Sequence, residues 1–111
     1  MTQEKNDMVI LITTLATRED TTKLVESLVQ EKLVACANII PQIESVYYWR
    51  GNLEKALEFM VILKTDCHLI DQLKKRIEEL HPYEVPEIIS LNPTDTNIAY
   101  LNWMKDVLKK I

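Results

Sequence analysis

The side chains able to do chemistry are few, and their spacing narrows what that chemistry could be. Four carry nitrogen or sulfur suited to a transition metal: Cys36, Cys67, His68 and His81. A tight site needs three or four such donors converging on one point. Cys67 and His68 are neighbours where a helix begins, so their side chains diverge. Cys36 lies within a strand, where a thiol more commonly packs as a small hydrophobe than acts as a nucleophile. His81 falls at a helix C-terminus, beside the negative end of the dipole. Histidines at 68 and 81 cannot form HExxH, and the lone glycine, Gly51, cannot supply a GxGxxG or GxxxxGK[ST] phosphate cradle. Spacing offers no nucleophile with an adjacent base, and no paired carboxylates. Glu58 and Lys64 share a strand face but stand ~20 Å apart at ~3.3 Å per residue. If another subunit covers them, each needs a partner from elsewhere, because an unpaired buried charge is costly.

The chain that positions these groups has 111 residues, 47% of them hydrophobic and 27% charged. That length suits a single domain over residues 1–111 with a modest core. Thirteen basic residues against seventeen acidic give a net charge of −4, with no basic stripe, which argues against a nucleic-acid partner. No apolar run approaches the ~18 residues of a membrane span. The two cysteines form no CxxC and read as reduced thiols, so a cytoplasmic protein is expected. The polar start, 1–7, is expected to be a flexible tail.

Hydrophobic periodicity sets the elements. Residues 8–14 form a short β-branched run that reads as a buried strand. Thr17, with Asp20 three residues on, opens a helix carrying Leu24, Val25, Leu28 and Val29 on one face. Residues 34–50 turn β-like, broken at Pro41, which predicts a bulge or an edge. Arg50-Gly51-Asn52 marks a hairpin, and Leu57–Thr65 is the return strand. Asp66 can cap a second helix that His81-Pro82 stops. Residues 86–91 read as a fourth strand, and residues 94–97 cap a last helix. The order βαββαβα predicts an α+β, ferredoxin-like split-βαβ sandwich with helices on one face of an antiparallel sheet.

On the return strand Leu57, Phe59, Val61 and Leu63 can face the helices, which turns Ala56, Glu58, Met60, Ile62 and Lys64 the other way. The second strand is likewise apolar on both sides, with Ile39 and Ile40, then Tyr47, Tyr48 and Trp49. A helix-covered sheet with a second apolar face calls for a cover this chain does not supply, and another copy is the economical answer.

Five runs carry a resemblance: EKLVACANIIP at 31–41, SVYYWRG at 45–51, ILKT at 62–65, HPYEVPE at 81–87 and YLNW at 100–103. Together, in register from about Met8 to Leu108, they resemble the CutA divalent-cation tolerance family. The resemblance implies a homotrimer built like the PII signalling proteins, a role in tolerance of metal ions with copper the ion most often bound, and no catalytic activity. It implies an inter-subunit cavity on Cys36, Asn38, Trp49, Glu58, Lys64, Tyr83 and Glu87, open to a metal ion or a small anion. The copper pattern of some members uses a thiol on the first strand and two histidines before Pro-Tyr. Here those places hold Thr13, Leu80 and His81.

Four expectations follow. No cofactor is required, and copper or another divalent cation binds weakly, centred on His81. Lys64 is held by Glu87 or Tyr83. The partners are the chain itself and a metal ion or small anion, with no nucleic acid and no membrane. The alternative is a PII-like signalling or scaffold trimer that binds a partner protein or a small metabolite; an enzyme using Lys64, Glu58 and Tyr83 lacks a visible nucleophile–base pair.

Overall fold

The computed structural model describes residues 6–110. The chain runs β1 (Met8–Leu15), α1 (Arg18–Gln30), β2 (Cys36–Trp49), β3 (Asn52–Asp66), a 3₁₀ turn (Cys67–Leu69), α2 (Ile70–Leu80), β4 (Ile89–Leu91) and α3 (Ile98–Val107). The four strands form one antiparallel sheet in the order β2-β3-β1-β4. Thr17 starts α1 as expected, its hydroxyl accepting the Asp20 N–H at 3.1 Å. Leu11, Leu15 and Leu63 from the sheet meet Leu28, Leu73, Ile77 and Met104 from the three helices, all with no measurable exposure. Each fully buried aliphatic side chain contributes about 1.5–3 kcal/mol.

The hairpin departs from expectation in its length. β3 begins at Asn52, well before Leu57, and β1 stops at Leu15 opposite Phe59. From Glu58 back to Asn52, therefore, β3 has only β2 beside it. Leu57 lies beyond the helices and is exposed rather than packed against them, and Val46, Tyr48 and Leu53 are exposed on the same arm. The arm lengthens the molecule to 53 × 29 × 22 Å and raises its radius of gyration to 15.3 Å. A compact domain of this length has ~13 Å. Arg50 (φ 51°) and Gly51 (φ 82°) make the two-residue turn, both in the left-handed region that matches strand twist in tight hairpins.

The bulge foreshadowed by Pro41 sits between Ile40 and Ile43, which pair with Met60 and Glu58. The extra residue reverses the alternation of β2. Before it, Cys36, Asn38 and Ile40 share the helix-free face with the even-numbered residues of β3. After it, Ile43, Ser45, Tyr47 and Trp49 do so.

Other expectations change in detail. Asp66 caps the 3₁₀ turn instead of α2, accepting the His68 N–H at 3.1 Å. β4 is only three residues long, and Asn97 starts α3 without a side-chain capping bond. Residues 1–5 of the expected tail lie outside the described residues, while Asn6 and Asp7 are bonded into the fold. The Asn6 amide donates to the Pro93 carbonyl at 2.9 Å, and Asp7 pairs with Lys105 at 2.6 Å. Among the described residues no helix is long and apolar enough to cross a membrane.

Candidate functional site: an acidic, aromatic cleft under the hairpin

His81 is the hinge of the site. It ends α2 because Pro82 follows, and its backbone turns out of the helix (φ −75°, ψ 132°). Its ring then fastens the next segment down. Nε2 donates to the Thr14 carbonyl at 2.8 Å, and Nδ1 accepts the Tyr83 N–H at 3.1 Å. These two bonds select the neutral tautomer with its proton on Nε2. Burial holds the imidazole below its ordinary pKa of 6.5; the Thr14 bond and the nearby Glu58 and Asp20 charges offset this only in part.

Fastened in this way, residues 81–88 cross the helix-free face at the base of the hairpin. The Tyr83 ring packs against the His81 ring, centroids 4.7 Å apart, and its hydroxyl donates to Glu58 Oε2 at 2.5 Å. Burial first, and the Glu58 bond next, push the Tyr83 phenol far above its ordinary range, so it remains a donor. Glu58 is only 7% exposed. Between the hairpin and this segment lies an open cleft of about 730 Å³, lined by Tyr47, Trp49, Glu58, Tyr83, Glu84 and Glu87 among others. At its outer end Arg50 lies over the Trp49 ring, 5.3 Å from the centroid, and pairs with Glu84 at 3.1 Å.

The seven cavity residues expected from the resemblance thus divide into two groups within one subunit. Trp49, Glu58, Tyr83 and Glu87 line the cleft. Cys36, Asn38 and Lys64 lie farther along the same sheet face, with Cys36 opposite Lys64 and Asn38 opposite Ile62. Within the subunit Lys64 is held neither by Tyr83, whose hydroxyl goes to Glu58, nor by Glu87, with which it forms no ion pair. Its ammonium lies over the Tyr100 ring at 5.7 Å, a cation–π contact. Burial first, and the nearby Cys36 thiol next, raise the Tyr100 phenol pKa. Tyr47 and Arg50 were not singled out for the site. Their place depends on the bulge and the turn, which a plain alternation along β2 assigns to the wrong face.

The donor set for a metal is thin. Both ring nitrogens of His81 are already bonded, so a cation there must displace the Tyr83 N–H. Thr13, which stands where the copper pattern implied by the resemblance has a thiol, is fully buried on the helix side of β1, away from the cleft. Among the described residues no three His, Cys, Asp or Glu side chains are grouped to hold a metal ion.

A family model described as CutA1 divalent ion tolerance protein matches residues 9–107. The divalent-cation tolerance protein CutA of Pyrococcus horikoshii is 43% identical over 103 residues, covering 93% of this chain and all of that protein. The corresponding protein of Thermus thermophilus is 36% identical over 97 residues, 87% of this chain and 94% of the relative. The crystal structure of CutA1 from Pyrococcus horikoshii superposes with a TM-score of 0.89 at 41% identity, covering 92% of this chain and 99% of that one. CutA1 from Ehrlichia chaffeensis gives 0.88 at 36% identity, over 94% and 97%. With the family pattern running through nearly every element, and the same α+β sheet and helices in the solved relatives, the chain belongs to the CutA family of divalent-ion tolerance proteins.

Proposed function

We propose that the protein serves tolerance of divalent metal ions, copper among them, as a non-enzymatic homotrimer of ferredoxin-like, PII-like subunits in the cytoplasm, with a charged ligand held in the cleft near a subunit boundary. Family membership over residues 9–107 is the observation that carries the tolerance role. The assembly is supported by the helix-free face. There Ile40, Ile89 and Leu91 are exposed, and Ile10, Ile12, Met60 and Ile62 are half-buried. Such a continuous apolar surface is uncommon on a monomer. The carboxylates of Glu58, Glu84 and Glu87 make the cleft better suited to a cation than to the anion expected from the sequence. The reading without catalysis is supported by the His81 ring, which spends both nitrogens on backbone groups and so is not available as a base.

Two measurements test this reading. Sedimentation equilibrium of the full chain at micromolar concentration should give three times 13.0 kDa; a 13 kDa species refutes the trimer. Equilibrium dialysis should give weak binding of Cu²⁺ that is lost in Glu58→Gln. Tight binding insensitive to Glu58 refutes the cleft.

A further inference from the structure

Glu58 presents a problem of charge. It is 93% buried by its 7% exposure, lines the cleft, and receives a hydrogen bond from one neutral donor, the Tyr83 hydroxyl. Among the described residues no lysine, arginine or histidine forms an ion pair with it. A carboxylate drawn that far from water costs several kcal/mol unless a positive charge compensates it. Among the subunit's described residues nothing supplies that charge, which leaves a place in the cleft for a cation, from a ligand or from a neighbouring copy.

The walls say what kind of charge. A compact, strongly hydrated dication is best held by converging charged donors, and among the described residues no three His, Cys, Asp or Glu side chains are grouped to hold one. It offers aromatic surface instead, with Trp49 and Tyr47 side by side on the face of β2 that the bulge turns toward Glu58. Aromatic faces next to carboxylates suit organic cations, which gain both the ring quadrupole and an ion pair, the weakly hydrated guanidinium above all. The protein already makes this arrangement once. The Arg50 guanidinium stacks on Trp49 at 5.3 Å and pairs with Glu84 at 3.1 Å, using the outer end of the same cleft. About 730 Å³ is ample for a small organic molecule, since ligand sites commonly span ~300–1,000 Å³.

Building on the reading of this cleft as the ligand site, we infer that it binds a small organic cation, an ammonium or guanidinium compound, with its charge against Glu58 and its carbon chain along Trp49 and Tyr47. The ligand joins the protein by noncovalent contacts only. A tolerance protein of this kind responds to an amine-bearing metabolite, with no need to sequester the metal itself.

The test is isothermal titration calorimetry on the full-length protein with agmatine, which carries both cationic groups. Parallel titrations use Cu²⁺, Mg²⁺ and inorganic phosphate. Saturable agmatine binding is expected, weakened roughly 10-fold or more in Glu58→Gln, as loss of a charge-assisted contact requires. Trp49→Leu, at the exposed rim, should weaken it as well and guards against a folding defect in the Glu58 variant. Agmatine binding unchanged in both variants overturns the inference, because the cation is then bound elsewhere. Glu58-dependent Cu²⁺ binding without agmatine binding overturns it too, while leaving the cleft as a site for the metal. Binding of phosphate in the cleft, or of no cation at all, overturns both the inference and the reading on which it rests.

Discussion

Removing the Tyr83 hydroxyl should expose how much of the site's order rests on one bond. In Tyr83→Phe the ring still packs on His81, and only the donor to Glu58 is lost. That bond is short, 2.5 Å, and its acceptor is a carboxylate 7% exposed to solvent. Hydrogen bonds to charged groups contribute about 1.5–3 kcal/mol, and both partners here are largely shielded, so a loss of about 2 kcal/mol is expected. This amounts to roughly a 30-fold shift in the folding equilibrium, or about 1 M in urea midpoint for a small protein. Midpoints should be compared at one fixed chain concentration, because an oligomer's stability depends on it. The double variant Tyr83→Phe with Glu58→Gln should regain most of the loss, since removing the charge as well as its donor leaves no orphaned carboxylate. A coupling energy near 2 kcal/mol is the expected result of the cycle. Additive single effects, with coupling under about 0.5 kcal/mol, would show that Glu58 is solvated in solution and that its burial is not the organising feature of the cleft.

Thr13→Val should stabilise the fold by about 1 kcal/mol in the same urea assay, because Thr13 Oγ1 is buried without a hydrogen-bond partner and valine fills the same volume. His81 binds its proton less readily when folded than when unfolded. Its contribution should therefore be complete above about pH 6.5 and fall away as the pH drops below that value, and His81→Gln should flatten the decline between pH 7 and 5. Gly51→Ala should cost about 1–2 kcal/mol by thermal unfolding, since φ at Gly51 is +82° and the strain comes from the backbone alone. Met60→Asp should convert the sedimenting species to monomer or unfold it, by placing a charge in the centre of the apolar face that copies would share.

The periodic parts of the fold were plain in the sequence because local chemistry decides them. Thr17 supplies the cap, Pro82 the stop, Pro41 the bulge and Gly51 the turn, each acting within a few residues of itself. What escaped was set by pairing across the chain. Leu57 alternates correctly with Val61 and Leu63, yet β1 ends before reaching it, so no helix lies above it. The Pro41 bulge could be anticipated, but its consequence, that Tyr47 and Trp49 join Glu58 instead of Tyr48, needs the register of β2 on β3. The fourth strand came out shorter than 86–91 because its first residues follow the path fixed by His81 and Tyr83 across the sheet. His81 itself was singled out as a free ligand, and nothing near it in the sequence reveals that the Thr14 carbonyl waits across the sheet. The family pattern was legible almost throughout, and it named Trp49, Glu58, Tyr83 and Glu87 before their meeting in one cleft could be derived.

Growth under excess Cu²⁺ tests most directly whether the Glu58 cleft serves divalent-ion tolerance. The host is a strain lacking its own family member, complemented with the wild-type chain or with Glu58→Gln, each verified as folded and equally abundant. Wild type should restore growth and Glu58→Gln should not. Full rescue by Glu58→Gln would contradict the assignment of tolerance to this cleft.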